Sequence, residues 1–576
     1  YELIAAQLTV PRIILENARW PVEPGPQSRL PEPEAQQPPD DQDTLENALA
    51  RLKPYEGVFS PEILQRLKEE LKYIYEAKDQ VTSPLFGHYE PFYPGDYTQY
   101  TPRSHYTKSS LLRAYFRAMM YLGRNYYSLE NPEGITDALL VAHLMVAPGK
   151  QGQPLQTWKR LMEITSFFVG LPDDISYPEW RDFIVKVTGG ETFDPQQALS
   201  PELHSRITAE LKNLRPPVTA FTRGEQVDIG KVNFRLFGQR FTFDAWILNH
   251  LTAKEPEDIP PFPSTPSALF VPAVLGNTLA RSLLPEFLKT EMPGFSAEHL
   301  KVFEKRLNRL SDITAQVEDA AWFNAVGWVW LKLLTTLNAT YGAGYPAYMQ
   351  SPLFPLKQLE AFLGSYTELK HDTLLYAKQS YAEMGNGDEG KLPPVPRGFV
   401  EPNLAFWRGL QRLVAYMAAG FEKYQLFASE GEQFGRLQQF KEQVEFFAAM
   451  AEKELAGKPL SAEEYEKIRT LDLSYMARPM DGDIVEPKDR RSALIADIHT
   501  DVNKVLYQAT GEPYLMLVLV GNEGRPRLTV GVAFNHYEFT GPLARRYTDA
   551  DWQAKVYEDP RALPPKNFWY KDLLVK

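Results

Sequence analysis

The chain of 576 residues has no cysteine at all. Disulfides, thiolate nucleophiles, iron–sulfur clusters and cysteine-ligated zinc are therefore excluded together. The absence suits an exported bacterial protein that avoids stray oxidation, and equally a thermophile purged of labile residues. Long basic blocks are missing too. The 62 Lys+Arg stand against 74 Asp+Glu, a formal charge of −12, which fits a phosphate backbone poorly and argues against a nucleic-acid partner. No apolar run reaches the ~18 residues of a membrane span. The best, around residues 326–335, is broken by Lys332. A Gly-x-Gly-x-x-Gly after a strand, a P-loop and a Gly-x-Ser-x-Gly elbow are all absent, which argues against a nucleotide enzyme or an α/β-hydrolase. Glycosidase carboxylates leave no local signature and stay open.

What is present is a large potential core, with 44% hydrophobic and 12% aromatic residues. The opening Tyr1-Glu-Leu-Ile has helical apolar spacing without a cap, so residues 1–20 read as a helix entered midway, with precursor sequence upstream. Residues 21–44, with seven prolines between positions 21 and 39, read as a solvated linker or surface excursion. Residues 45–486 read as an irregular α-helical body, its helices opened by signals such as Ser60-Pro-Glu, Ser200-Pro-Glu, Ser296-Ala-Glu and Ser461-Ala-Glu. After Pro487 the pattern changes. Short β-branched runs separated by Gly511-Glu-Pro and Gly521-Asn-Glu-Gly predict a small antiparallel meander, followed by an irregular tail to residue 576. The expected fold class is mainly α: an irregular multi-helix body with a small C-terminal antiparallel β-meander packed on it.

Two constellations could carry chemistry. Glu368, His371 and Asp372 share one helix, with Asp372 about 40° and His371 about 60° from Glu368 around the axis, and Gln379 on the same stripe. The other faces are apolar (Tyr366, Leu369, Leu374, Leu375, Tyr376, Tyr381), so the helix should be buried and its charges paired, ligated or neutralised. These are the candidate catalytic residues; packing held by basic partners is the plainer reading. In a strand, Asp497, His499 and Asp501 project to one face, and His536 and Glu538 have the same period of two. Two carboxylates and an imidazole suit one divalent zinc, iron or manganese ion. The alternative is the solvent face of an edge strand.

Weaker signals are the calcium-like Asp481-Gly-Asp483 with Glu486, and the aromatic run Tyr89–Tyr100 (Phe92, Tyr93, Asp96, Tyr97). The latter reads as a sugar-stacking loop or, more commonly, as an anchor for a long loop. Arg113, Arg117 and Arg124 could pair with buried carboxylates; His88, His143, His204, His250 and His299 read as structural.

Several stretches together resemble a known family. They are Asp96-Tyr-Thr-Gln-Tyr-Thr-Pro-Arg-Ser-His-Tyr-Thr-Lys, Tyr115-Phe-Arg-Ala-Met-Met-Tyr-Leu-Gly-Arg124 and Phe237-Gly-Gln-Arg-Phe-Thr. With them come Leu363-Gly-Ser-Tyr-Thr-Glu-Leu-Lys-His-Asp, Phe399-Val-Glu-Pro-Asn, Ala496-Asp-Ile-His-Thr-Asp501 and Tyr537-Glu-Phe-Thr. Their order over residues 60–555 resembles the bacterial and archaeal family called domain of unknown function 3160. The resemblance implies an exported or lipoprotein-anchored protein without an assigned activity. It also implies an upstream segment with Thr-Thr-Asp and paired histidines, which this chain does not carry. The reading is thus an extracytoplasmic (periplasmic, cell-surface or secreted) protein, non-catalytic, binding a small ligand or an envelope protein partner, with a metal held by Asp497, His499 and Asp501. The alternative is a metal-assisted hydrolase of glycan or peptide with Glu368 as acid or base, so whether the chain is an enzyme stays open.

Overall fold

A computed structural model of the chain describes residues 2–18, 43–78, 80–89, 94–147, 154–190, 195–215, 217, 222–223, 226–227, 232–254, 256–373, 397–427, 431–471, 491–501, 503–522 and 525–570. The proline-rich stretch up to residue 42, Phe92, Tyr93, the predicted helix beyond Thr373 with Gln379, and the calcium-like Asp481–Glu486 segment lie outside the described residues.

The chain forms two compact units. The first comprises residues 1–249 and 542–548, the second 250–541 and 549–576. The division falls between Asn249 and His250, and strands of the C-terminal region lie in the second unit.

In the first unit the helix α1 (Glu2–Asn17) buries Ile4, Ala6, Val10, Ile13 and Ile14. It packs on α2 (Pro61–Glu76) and α3 (Ser110–Arg124). The cap signals act as expected: Ser60 Oγ accepts from Ile63 N at 3.4 Å, and Pro61 takes the first helical position, where no N–H is needed. Asp43 is held by Arg117, by Arg113 at 3.7 Å and by the Tyr75 hydroxyl at 3.0 Å. Those two arginines do pair with a buried carboxylate, one lying outside both predicted constellations. Short strands complete the unit: β1 (Gln80–Thr82), β2 (Pro94–Asp96), β3 (Tyr127–Ser128), β4 (Thr222–Arg223), β5 (Gln226–Val227) and β6 (Asn233–Phe234). The pairs are β1 with β2, β3 with β6 and β4 with β5, all antiparallel.

The second unit is built on α4 (Val326–Leu334), α5 (Phe354–Thr373), α6 (Leu404–Lys423) and α7 (Glu432–Leu455). Here α4 packs on α5 and α6, and α6 on α7. The helix Ala462–Arg469 opens with a full capping box: Glu464 N donates to Ser461 Oγ at 3.2 Å, and Ser461 N donates to the Glu464 carboxylate at 2.8 Å. Strands β7 (Leu494–Thr500) and β8 (Lys504–Thr510) are antiparallel, with β11 (His536–Pro542) on the other side of β8. Strands β9 (Tyr514–Asn522) and β10 (Arg525–Ala533) form a separate antiparallel hairpin at the predicted Gly521 turn. The mainly α body with C-terminal antiparallel β structure therefore stands as expected. Helix α5 lies against β7, β8 and β10. At Gly364 a Cβ would collide with the Phe534 ring, so only glycine lets the helix come this close. A final helix, α8 (Asp549–Tyr557), buries Trp552, whose Nε1 donates to Thr510 O at 2.8 Å. Among the described residues no helix is long and apolar enough to cross a membrane.

Candidate functional site

Glu368, His371 and Asp372 occupy the last turns of α5, as the helical spacing requires. His371 is buried between two carboxylates, with Nε2 at 2.8 Å from Asp549 Oδ2 and Nδ1 at 3.3 Å from Asp372 Oδ1. Burial alone would lower the imidazole pKa, but Asp549 and Asp372 outweigh it and raise it to about 10. His371 is thus a cation at neutral pH. Asp549 also accepts from Ile495 N at 3.2 Å, so the cluster ties α5 to β7 and to the start of α8. Burial, reinforced by Asp372 and opposed by His371, raises the Glu368 carboxyl to about 8. The three residues that helical spacing puts on one face do lie together at the end of α5, and His371 takes a second carboxylate, Asp549, from 178 positions away in the chain.

The strand set is arranged differently. A register shift between Asp497 and His499 interrupts the alternation of β7, so a strict period of two does not carry across them. Asp501 closes the turn into β8, its N donating to Lys504 O at 2.9 Å, while Thr265 Oγ1 donates to its carboxylate at 3.3 Å. His499 has its pKa lowered by burial against the opposing pull of Asp501. His536 is fully buried in a separate network. Asn567 Nδ2 lies 3.1 Å from Nδ1 as donor, which leaves Nε2 to donate to Gln508 Oε1. Gln508 Nε2 in turn donates to Glu538 at 2.6 Å, and Glu538 also accepts from Ala268 N at 2.7 Å. Burial, with Lys566 adding to it, pushes His536 down to about 3. Both ring nitrogens are occupied, and His536 stays neutral. Among the described residues no group of three or more His, Asp or Glu side chains is arranged to hold a metal ion.

A third site draws on the aromatic run Tyr89–Tyr100. In the first unit, a cleft of about 310 Å³ is lined by Ser83, Tyr97, Tyr100, Arg124, Tyr126 and Arg235, with Gly95, Asn125 and Gln239 completing it. Behind Ser83 and Tyr97 lies α2, which buries Leu67, Leu71 and Ile74 on one stripe and Glu70 among them. Glu70 accepts from Ser83 Oγ at 2.7 Å and from the Tyr97 hydroxyl at 2.8 Å. Burial raises its pKa to about 7, and those two hydrogen bonds with one from the Leu85 backbone limit the rise.

The Tyr97–Tyr100 turn is capped by Asp96, which accepts from Thr98 N at 3.1 Å and from Gln99 Nε2 at 3.1 Å. The buried Arg546 guanidinium, from the segment that returns to this unit, holds Asp96 at 3.6 Å and Thr98 Oγ1 at 3.3 Å. A Cβ at position 95 would sit 2.6 Å from the Tyr97 ring, so glycine is required where β2 passes the tyrosine. On the other wall, Arg235 pairs with Asp174 at 2.7 Å, donates to Gly123 O at 2.8 Å and lies 5.1 Å over the Tyr126 ring. The missed signal was Glu70 itself, a carboxylate at i+3 within a Leu67–Leu71–Ile74 stripe.

These observations define a mainly α protein with a small set of buried charged side chains and a cleft walled by tyrosine and arginine, backed by a buried carboxyl group. The chain belongs to the family described as protein of unknown function, DUF3160, whose model matches residues 45–570. No curated protein and no solved structure matches the chain. Three of the stretches that carry the family resemblance meet at the cleft: the one opening at Asp96, the one ending at Arg124, and the one containing Gln239.

Proposed function

We propose that this is a non-catalytic binding protein acting outside the cytoplasm, and that the cleft of the first unit takes a small acidic sugar or a similarly hydroxylated organic acid. The observation that carries this reading is the meeting of Tyr97, Tyr100 and Tyr126 with Arg124 and Arg235 in one cleft. Tyrosine rings offer flat apolar faces with hydroxyl tips, and guanidinium groups match a carboxylate. Gln239 adds a polar amide of the kind that hydroxyls need. At about 310 Å³ the cleft lies at the small end of the range for ligand pockets, which begins near ~300 Å³, and so suits one or two sugar rings. The proposed location rests on the family resemblance, which implies export; the absence of cysteine is compatible with it.

Calorimetric titration of the full chain with glucuronate, galacturonate and their neutral parent hexoses tests the reading. Saturable binding of the acids is expected, weaker for the hexoses and weakened at least ~10-fold in Tyr126→Ala. Absence of heat with every probe, or equal binding by the variant, overturns it. Recovery of the native protein solely from the cytosolic fraction of its host overturns the proposed location.

A further inference from the structure

Six large aliphatic side chains of the second unit stand together in solvent. Leu515, Leu517 and Leu519 of β9 and Leu528, Val530 and Val532 of β10 are each between 59% and 70% exposed. The hairpin register places them in direct pairs: Leu519 opposite Leu528, Leu517 opposite Val530, Leu515 opposite Val532. They therefore form one continuous face, extended by Gly521 opposite Pro526. Among the described residues of this face, no charged or hydrogen-bonding side chain interrupts it.

The other face of the hairpin accounts for the contrast. Met516, Val518 and Thr529 are half-buried and Val520 is buried. Arg527 donates to Gly398 O at 3.1 Å, β10 meets α5, and β9 meets the turn Ala347–Gln350. A ribbon that needs one apolar face for its own unit has no reason to carry a second, since antiparallel strands with one wet face alternate apolar with polar residues. We propose that the outer face of this hairpin is the contact by which two copies of the chain associate about a two-fold axis.

Area and chemistry choose the occupant. Six aliphatic side chains at this exposure present roughly 100 Å² each, so roughly 600 Å² in all. Two such faces together bury roughly 1,200 Å², the lower bound of a stable specific interface. A two-fold contact brings a patch against itself, and an uncharged aliphatic face is complementary to its own copy. Hairpin faces of this kind stack about 10 Å apart, as in a β-sandwich. A chain of net charge −12 is poorly suited to lie on an anionic membrane surface. The pair Leu517 and Val530 lies at the centre of the face, nearest the axis.

Sedimentation equilibrium of the full chain tests the proposal, with Leu517→Lys/Val530→Lys alongside. Wild type is expected at twice the monomer mass, with a dimer not weakened by 0.5 M salt, since apolar contacts survive screening and like-charged copies repel less. The double variant is expected to dissociate at least ~100-fold more readily with unchanged circular dichroism, because each lysine would be buried unpaired. The cysteine-free background supplies a second readout. Leu517→Cys should be cross-linked to its copy by a short bismaleimide, whereas Val58→Cys, also exposed, should not. A monomer throughout the micromolar range overturns the proposal, as does a dimer that persists in the lysine variant. Monomeric binding to neutral phosphatidylcholine vesicles that the lysines abolish also overturns it, by making a bilayer the occupant.

Discussion

Glu70, Glu360 and Glu368 each interrupt an apolar helix stripe, and burial raises all three, to about 7, about 7 and about 8. The signal is the same each time: a carboxylate where periodicity calls for a leucine. The reading of α5 used it at Glu368, and it was equally visible at Glu70 and Glu360. What the sequence does not show is the partner. Nothing near His371 announces Asp549, because side-chain pairing across the fold depends on tertiary approach, not on local spacing. The His371 cluster makes a sharp prediction. Its pKa is raised from 6.5 to about 10 on folding, so its stabilisation is complete below pH 6.5 and is lost as pH rises through about 10. His371→Asn should therefore cost about 3 kcal/mol or more at pH 6, the scale of breaking a buried ion pair, and progressively less by pH 10. Urea denaturation at pH 6, 8 and 10 measures the gap, and a gap that stays constant would sink this account of the cluster.

At the scale of elements, helix starts were the most legible feature. Ser60, Ser200, Ser296 and Ser461 all cap helices, since a cap is a local hydrogen bond written in adjacent residues. The helix Tyr177–Thr188 is marked in the same way by Ser176, Pro178 and Glu179. The strands were legible from β-branched runs and the Gly521 turn, but not the separation of the β9–β10 hairpin from the sheet of β7, β8 and β11, nor the register shift at Asp497. Bulges and strand neighbours are set by packing, which local sequence does not show; α5 itself comes close to Phe534 at Gly364. Gly364→Ala should lower stability by about 1–3 kcal/mol without loss of helix content, the usual cost of overpacking. Adding Phe534→Leu should recover part of that loss. Thermal unfolding followed by circular dichroism decides it, and an unaffected midpoint in the single variant would remove the close-contact argument.

For the whole molecule, sequence pattern was a sound guide to class. The hydrophobic and aromatic content pointed to a large core, and the helix-opening signals to a mainly α body. The division after Asn249 was not legible, because the return of residues 542–548 to the first unit is a long-range event with no compositional mark. The same holds for the cleft. Its walls come from sequence positions between 83 and 239, and only the fold shows that three family-like stretches share one small space. Ser83 and Tyr97 both line that space and both hold Glu70, so the protonation of Glu70 should be felt by a bound anion. Neutral below about pH 7, the carboxyl tolerates an acidic ligand; ionised above it, the carboxylate repels one.

The most direct test is calorimetric titration with galacturonate at pH 6 and pH 8, on wild type and on Glu70→Gln. Wild type should bind roughly tenfold more tightly at pH 6, and the variant should bind with one affinity at both. No binding by either protein, or the same pH dependence in both, would contradict a ligand seated in front of Glu70.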